Sequence, residues 1–170
     1  PQGLILRLHG EPAPLTDAVA AADHAYWSTC EDRLRRGTAF PADSSARKTY
    51  AKLRSAIGGL YASRGRLVDA EKAFEQARRL FPESPEANYR FVQEVLLRQH
   101  RFADARRVMA AYRDRLPAWI DICAKDGVAA DLRTEQGRVD GVIAQIQRLE
   151  QQPGGDMDAG RDGASGSATR

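Results

Sequence analysis

The chain has 170 residues, of which 42% are hydrophobic and 29% are charged, as expected for one globular domain with a substantial core. Its 26 Lys and Arg against 23 Asp and Glu give a net charge of +3. Such a small, dispersed excess does not indicate a nucleic-acid-binding face, which requires clustered basic side chains. Cys30 and Cys123 lie far apart, without a CxxC pair or a His at zinc spacing, so neither a disulfide framework nor a zinc finger is indicated.

Both ends of the chain differ in character from its middle. The first residues, Pro1-Gln2-Gly3, lack an initiating Met, which suggests a fragment of a longer protein. Residues 1–15 are predicted to be an extended segment lying against the helices, because they contain a short apolar run followed by helix-breaking prolines. Residues 153–170 are rich in Gly, Ala, Ser and Asp, and we predict that they are disordered.

The first helix is predicted to begin after an N-cap at Thr16 and to run to about Arg36, where Gly37 provides a left-handed stop. Apolar residues recur at intervals of three or four, so one side should face inward. An acidic residue interrupts this stripe, whose members are Val19, Asp23, Tyr26, Trp27, Cys30 and Leu34.

Four further helices follow as two hairpins. A long helix is predicted from Ser44 or Ser45 to about Arg64, where Gly65 ends it. Residues 67–80 should then turn back antiparallel to it. After a Pro-rich turn, the second hairpin is predicted to pair residues 85–99 with residues 102–115.

A third, weaker hairpin is predicted over residues 118–150. Its first helix should run to Gln136 with an interruption at Gly127, and its turn should lie at Gly137-Arg138-Val139. We interpret it as a degenerate terminal repeat that caps the stack, since end repeats are atypical.

Two segments of the chain repeat at a spacing of about 35 residues. Arg66 to Phe74 aligns with Arg101 to Met109, and Pro82 aligns with Pro117. Each copy has a small Ala at the expected helix crossing and a bulky residue one turn later, namely Ala70 with Phe74 and Ala105 with Met109. This pattern predicts helices that pack closely against their predecessors.

These residues resemble the tetratricopeptide repeat (TPR) family. In the first copy, the family's pattern of small, aromatic and Pro positions is filled by Gly58, Tyr61, Ala70, Phe74, Ala77 and Pro82. The second copy matches at Tyr89, Val92, Leu96, Ala105, Met109 and Pro117, but it needs one extra residue, and Gln93 and Tyr112 stand where the family has small residues. The resemblance implies an all-α fold: a right-handed stack of antiparallel hairpins with an extra N-terminal helix. Within a domain of residues 16–152, the repeats would cover about 45–82, 85–117 and 118–150.

In that family, the first helices of the repeats line a groove that binds a peptide or a partner helix. The resemblance therefore implies a non-catalytic protein-interaction scaffold. The predicted groove residues are Lys52, Ser55, Ala62, Arg90, Glu94, Leu97 and Arg98, with Gly59, Ser63 and Ala87 beside them. Family members that clamp a C-terminal carboxylate would need Lys and Asn where this chain has Ser55 and Gly59, so we do not expect a carboxylate clamp.

No constellation of residues indicates catalysis or a cofactor, because no nucleophile and base, paired carboxylates or metal cluster can be identified. Asp23-His24 with Cys30-Glu31-Asp32 could be taken for a metal site, but on a helix these side chains point in different directions. We therefore predict that the chain is not an enzyme and holds no metal.

Two alternative functions remain. Arginines crowd the second repeat and could bind nucleic acid weakly, although acidic residues are interleaved among them. The second alternative comes from another resemblance. Gly3-Leu4-Ile5, Trp27, Ala46-Arg47, Lys52-Leu53-Arg54-Ser55 and Tyr61 are similar to soluble C-terminal tails of large polytopic bacterial membrane proteins of a glycosyltransferase-like kind. That resemblance implies an accessory or structural tail.

Overall fold

The computed structural model describes residues 14–152, and every regular element among them is helical. The elements are α1 Asp17–Arg36, α2 Ala39–Ala42, α3 Ser44–Ser63, α4 Leu67–Leu80, α5 Pro85–Phe91 with its continuation through Gln99, α6 Phe102–Arg113, α7 Leu116–Lys125 and α8 Leu132–Gln151. The predicted all-α class is confirmed for this part of the chain. Most of the predicted segment 1–15 and all of the predicted tail 153–170 lie outside the described residues.

Most helices that follow each other along the chain also contact each other. α3 packs along α4, and both contact α5. α6 contacts α5 and its continuation, α8 packs along α6, and α7 contacts α8. Because only three residues, 64–66, connect α3 to α4, these two helices form a tight hairpin.

Side-chain caps fix where several helices begin. Thr16 Oγ1 accepts a hydrogen bond from the Val19 backbone N–H at 3.3 Å, as its predicted N-cap role requires. Asp43, Ser84 and Asp131 cap α3, α5 and α8 in the same way. Gly65 ends α3 with a φ of 74°, which confirms the predicted stop. The predicted left-handed stop at Gly37 is wrong, because its φ is −85° and the chain continues extended towards α2.

The core forms where small residues let helices approach each other. Ala70, Ala105, Phe74 and Met109 are completely buried, which confirms the inward orientation that the repeated pattern predicts. A Cβ added to Gly58 of α3 would lie 3.1 Å from the Phe74 ring of α4. The absence of a side chain at Gly58 therefore makes room for Phe74.

The helix predicted over residues 85–99 is present but irregular. Its α-helical part ends at Phe91 and continues as a π-helical turn, Val92–Leu96, and a 3-10 turn, Leu97–Gln99. A π turn closes its hydrogen bonds over five residues rather than four, so it takes up one residue more than a regular α-helix would. His100 then ends the helix with a left-handed φ of 55°.

The terminal hairpin differs from the prediction. α7 ends at Lys125, where Gly127 has a φ of 69°, and α8 begins after the Asp131 cap. The turn predicted at Gly137-Arg138-Val139 is wrong, because these residues lie inside α8. A helical Gly costs about 1 kcal/mol relative to Ala, and burial of Val139 and Ile146 in the core outweighs that cost.

Over residues 14–152, none of the helices combines the length and the apolar character that a bilayer span requires.

We expect Phe74→Ala to lower the free energy of unfolding by about 3–5 kcal/mol, because it leaves a cavity beneath Gly58 and Phe91. Val68→Ala on the same helix is the control: its side chain is 64% exposed, so a change within about 0.5 kcal/mol is expected. Urea denaturation followed by circular dichroism measures both. Equal losses in the two variants would contradict the packing described for Phe74.

Candidate functional site

The predicted groove residues of two successive first helices meet in the structure. Arg98 Nη1, in the 3-10 turn at the end of the α5 continuation, donates a hydrogen bond to the Ala62 carbonyl oxygen near the end of α3 at 2.8 Å. The Arg90 guanidinium occupies the space above Gly59, where an added Cβ would overlap it. We call α5 and its continuation through Gln99 the α5 segment. α3 and the α5 segment therefore form one continuous surface.

Arg90 is held in place from several sides. Its Nε donates to Glu94 Oε1 at 2.7 Å, and Glu86 lies 3.4 Å from its Nη1. The guanidinium carbon also lies 5.5 Å from the centroid of the Phe74 ring, within cation–π range. Arg90 thus stabilises the packing of α5 on the first hairpin, and its positive charge is already balanced.

The predicted groove residues differ in how far their side chains are exposed to solvent. Lys52 and Arg98 are exposed, and Arg90, Glu94 and Leu97 are partly buried. Ser55 and Ala62 are covered, with side chains that α3 presents to its neighbours instead of to solvent. Contrary to the prediction, the side chains of Ser55 and Ala62 are therefore not accessible to a partner. We use the name first-helix surface for the accessible set Lys52, Arg90, Glu94, Leu97 and Arg98.

The arginines of residues 85–117 are mostly paired with acids. Arg101 contacts Glu71 at 2.7 Å and Asp104 at 2.9 Å. The other pairs are Arg106–Glu150, Arg107–Asp104 and Arg113–Asp140. Among the described residues, Arg98 and Arg115 have no acidic partner within 4.0 Å, so this region does not present a continuous basic track.

Beneath α1 lies a buried ion pair that attaches this helix to α3. Arg54 Nη1 donates to Asp23 Oδ2 at 2.6 Å, and the Tyr61 hydroxyl donates to the same oxygen at 2.9 Å. The side chains of Arg54 and Asp23 are 1% and 0% exposed. The Arg54 guanidinium carbon also lies 5.1 Å from the centroid of the Trp27 ring. Burial lowers the pKa of Arg54, and the neighbouring Asp23 carboxylate opposes that effect.

His24 extends this cluster to α4. Arg54 Nη2 lies 2.8 Å from His24 Nδ1, and His24 Nε2 lies 2.9 Å from Asp69 Oδ1. A guanidinium can only donate, so Nδ1 must be the acceptor and Nε2 carries the hydrogen that Asp69 accepts. Burial raises the pKa of Asp69, but the hydrogen bonds from His24 and Arg66 outweigh it and hold that pKa below its usual value. Asp23 interrupts the apolar stripe of α1 because it is the counterion of Arg54.

Glu31 makes a second polar attachment further along α1. Its carboxylate accepts hydrogen bonds from Gln76 at 2.9 Å and from Arg79 at 3.0 Å, both on α4. Burial raises the pKa of Glu31, but these two hydrogen bonds lower it more, so the net shift is downward. Asp23, His24 and Glu31 thus bind side chains of neighbouring helices, and no group of three or more His, Cys, Asp or Glu within residues 14–152 is placed to hold a metal ion.

A cavity of about 480 Å³ opens beside α1, at the side where α3 begins. Its lining combines aromatic, apolar and cationic side chains: Ala25, Tyr26, Thr29, Cys30, Arg33, Leu34 and Tyr50. Tyr26 is 42% exposed. The sequence pattern assigns Tyr26, Cys30 and Leu34 to the inward stripe of α1, and it carries no signal that they border an open space.

Breaking the buried ion pair tests its role in holding α1. We expect Asp23→Asn to lower the free energy of unfolding by about 3–5 kcal/mol, because the buried Arg54 charge loses its counterion. Asp17→Asn is the control: its carboxylate also pairs with an Arg but is 95% exposed, so about 1 kcal/mol or less is expected. The double variant Asp23→Asn/Arg54→Met should recover part of the loss, since no unpaired buried charge remains. Chemical denaturation measures all three, and equal losses in the first two would contradict this interpretation.

The lowered pKa values of Glu31 and Asp69 predict how stability depends on pH. Each group binds protons more readily in the unfolded chain, so its stabilisation is complete above the unfolded pKa of about 4 and is lost as pH falls. We expect the free energy of unfolding to decrease between about pH 5 and pH 3, less steeply in Glu31→Gln. Asp32→Asn should keep the original slope, because the exposed Asp32 has no cationic partner within 4.0 Å in the described part of the chain. Urea titrations across this range measure the slopes, and equal slopes for all proteins would exclude a contribution from Glu31.

Comparisons of the chain with protein-family models, with curated proteins and with solved structures gave no match. The function proposed next therefore rests on the residues and contacts of this chain.

Proposed function

We propose that this chain is a non-catalytic protein-interaction scaffold of the TPR type, which binds a peptide or a partner helix on the first-helix surface. The observation that carries the proposal is the junction of α3 with the α5 segment. Arg98 reaches the Ala62 carbonyl oxygen, and Arg90 covers Gly59. Side chains from two successive hairpins are thereby combined on one surface, as binding across a repeat stack requires.

The dimensions of this surface suit a short helical or extended segment. Lys52 and Ala62 are ten residues apart on α3, which corresponds to about 15 Å along the helix axis. Lys52 therefore marks one end of the surface and Arg98 the other, with Arg90 and Glu94 between them. About three turns of a partner helix would cover that length.

The charges favour a partner that carries acidic residues. Lys52 and Arg98 are exposed, and neither has an acidic partner within 4.0 Å in residues 14–152. Leu97 precedes Arg98 in the chain, is partly buried against the core and supplies apolar contact at that end of the surface. A partner with two acidic groups about 15 Å apart and an apolar side chain close to one of them would complement this arrangement.

The same charges make nucleic-acid binding the weaker alternative. Binding to a phosphate backbone needs a continuous track of cations. Arg101, Arg106, Arg107 and Arg113 are paired with carboxylates of the chain. A phosphate would therefore have to compete with those carboxylates for the guanidinium groups.

Charge reversal at the two ends of the surface tests the proposal. Lys52→Glu/Arg98→Glu should lower the affinity for a bound partner at least tenfold, since two favourable charge contacts become repulsive. Arg90 is left unchanged because it supports the fold. Partners are captured from the native organism by crosslinking, identified by mass spectrometry and then measured as purified proteins by calorimetry.

Lys72→Glu/Arg115→Glu is the matched control, with the same change of net charge at exposed positions on α4 and before α7. It should bind the purified partner as the unmodified chain does. A partner whose affinity falls equally in both double variants, or in neither, would show that the first-helix surface is not the binding site. Circular dichroism checks that all the proteins remain folded.

A further inference from the structure

We propose that the cavity beside α1 is a binding site for a small amphipathic anion, meaning an apolar or aromatic body that carries one carboxylate or sulfonate group. This inference is independent of the proposed scaffold function, because none of the cavity residues belongs to the first-helix surface. The proposal rests on the size of the cavity, its aromatic wall and an unpaired cation at its edge.

The volume of the cavity is suitable for a small ligand. At about 480 Å³ it lies within the range of roughly 300–1,000 Å³ that is usual for small-molecule sites. Such sites are lined mainly by apolar and aromatic groups, with a few polar side chains that orient the ligand. The lining of this cavity has that composition, with Arg33 as its only charged member.

The aromatic wall is firmly supported from behind. Tyr50 packs edge to face against both Trp27 and Phe40, at ring-centroid distances of 6.5 and 5.8 Å. Tyr26 also meets the buried Trp27 edge to face, at 6.2 Å. Tyr26 nevertheless stays 42% exposed, so an apolar ligand that covers it would remove apolar surface from water.

The anionic group is inferred from Arg33. This exposed side chain borders the cavity, and no carboxylate within residues 14–152 lies within 4.0 Å of it. The nearby Glu31 carboxylate is already bound by Gln76 and Arg79. Arg36 adds positive charge at the same end of α1, whereas Arg35 pairs with Glu31 at 3.6 Å and the exposed Asp32 adds negative charge, so Arg33 itself is the group that would bind the anion.

Cys30 provides a reporter for occupancy of the site. Its thiol is partly exposed and borders the cavity, whereas Cys123 is 2% exposed and lies outside it. Burial raises the pKa of the Cys30 thiol, so alkylation with iodoacetamide is followed at alkaline pH, where the thiolate forms. Mass spectrometry gives the alkylation rate of each cysteine, with Cys123 as the internal reference.

The probes are 1-naphthaleneacetate and its neutral counterpart 1-naphthaleneacetamide, which share one apolar body. The acid should protect Cys30 in a saturable manner, with about tenfold higher affinity than the amide. Arg33→Gln should reduce the affinity for the acid to that for the amide, whereas Arg36→Gln, with the same change of charge, should leave it within about twofold. Tyr26→Ala should weaken both probes, because it removes the aromatic wall that they share.

Amide resonances in ¹H–¹⁵N spectra provide a second measurement that does not depend on alkylation. Saturable shifts centred on residues 25–34 and around Tyr50 are expected for the acid, and the same spectra show whether each variant is folded. The proposal is overturned if neither method detects binding up to millimolar concentration, or if acid and amide bind equally. It is also overturned if Arg33→Gln and Arg36→Gln have the same effect.

Discussion

The close approach of α3 and α4 is the constraint on which the rest of the structure depends. It requires small residues on both helices, and Gly58 leaves space for the ring of Phe74. Ala70 can be completely buried because its side chain ends at Cβ. The paired helices then offer a common surface to α5, whose Phe91 ring lies 6.2 Å from that of Phe74. A larger residue at position 58 would move Phe74 and, through it, the α5 segment that carries Arg90 and Arg98.

α1 is attached to this hairpin in a different manner. Trp27 of α1 supplies apolar burial. Asp23, His24 and Glu31 attach α1 to the hairpin through hydrogen bonds to Arg54, Asp69 and Gln76. Such contacts are directional. A buried ion pair contributes little net stability compared with apolar packing, although removal of one of its two partners is costly. The polar contacts therefore fix the position of α1 on α3 and α4 more than they add to its stability. The cavity at its other side depends on that position.

The sequence was sufficient to predict the helices that obey local rules. Thr16 is an N-cap, Gly65 ends α3, and the bounds of α4 follow from its apolar periodicity and the turn residues beside it. Local rules failed where tertiary burial decided the outcome, as in α8, which continues through Gly137 because Val139 and Ile146 are buried. They also could not pair Asp23 with Arg54, since the two residues are 31 positions apart and only the docking of α1 brings them together.

The same reasoning explains why candidate binding residues are difficult to recognise from charge alone. The arginines of residues 85–117 form a conspicuous cluster in the sequence, yet most of them serve as counterions within the fold. Arg98 belongs to that cluster, whereas Lys52 and Arg33 lie outside it, and each of the three lacks a carboxylate within 4.0 Å in the described part of the chain. An exposed cation without a carboxylate partner loses less on binding an anion than a paired one, because no internal ion pair has to be broken. Among the described residues, such cations lie at the first-helix surface and at the cavity beside α1, and also at other positions such as Lys72 and Arg115.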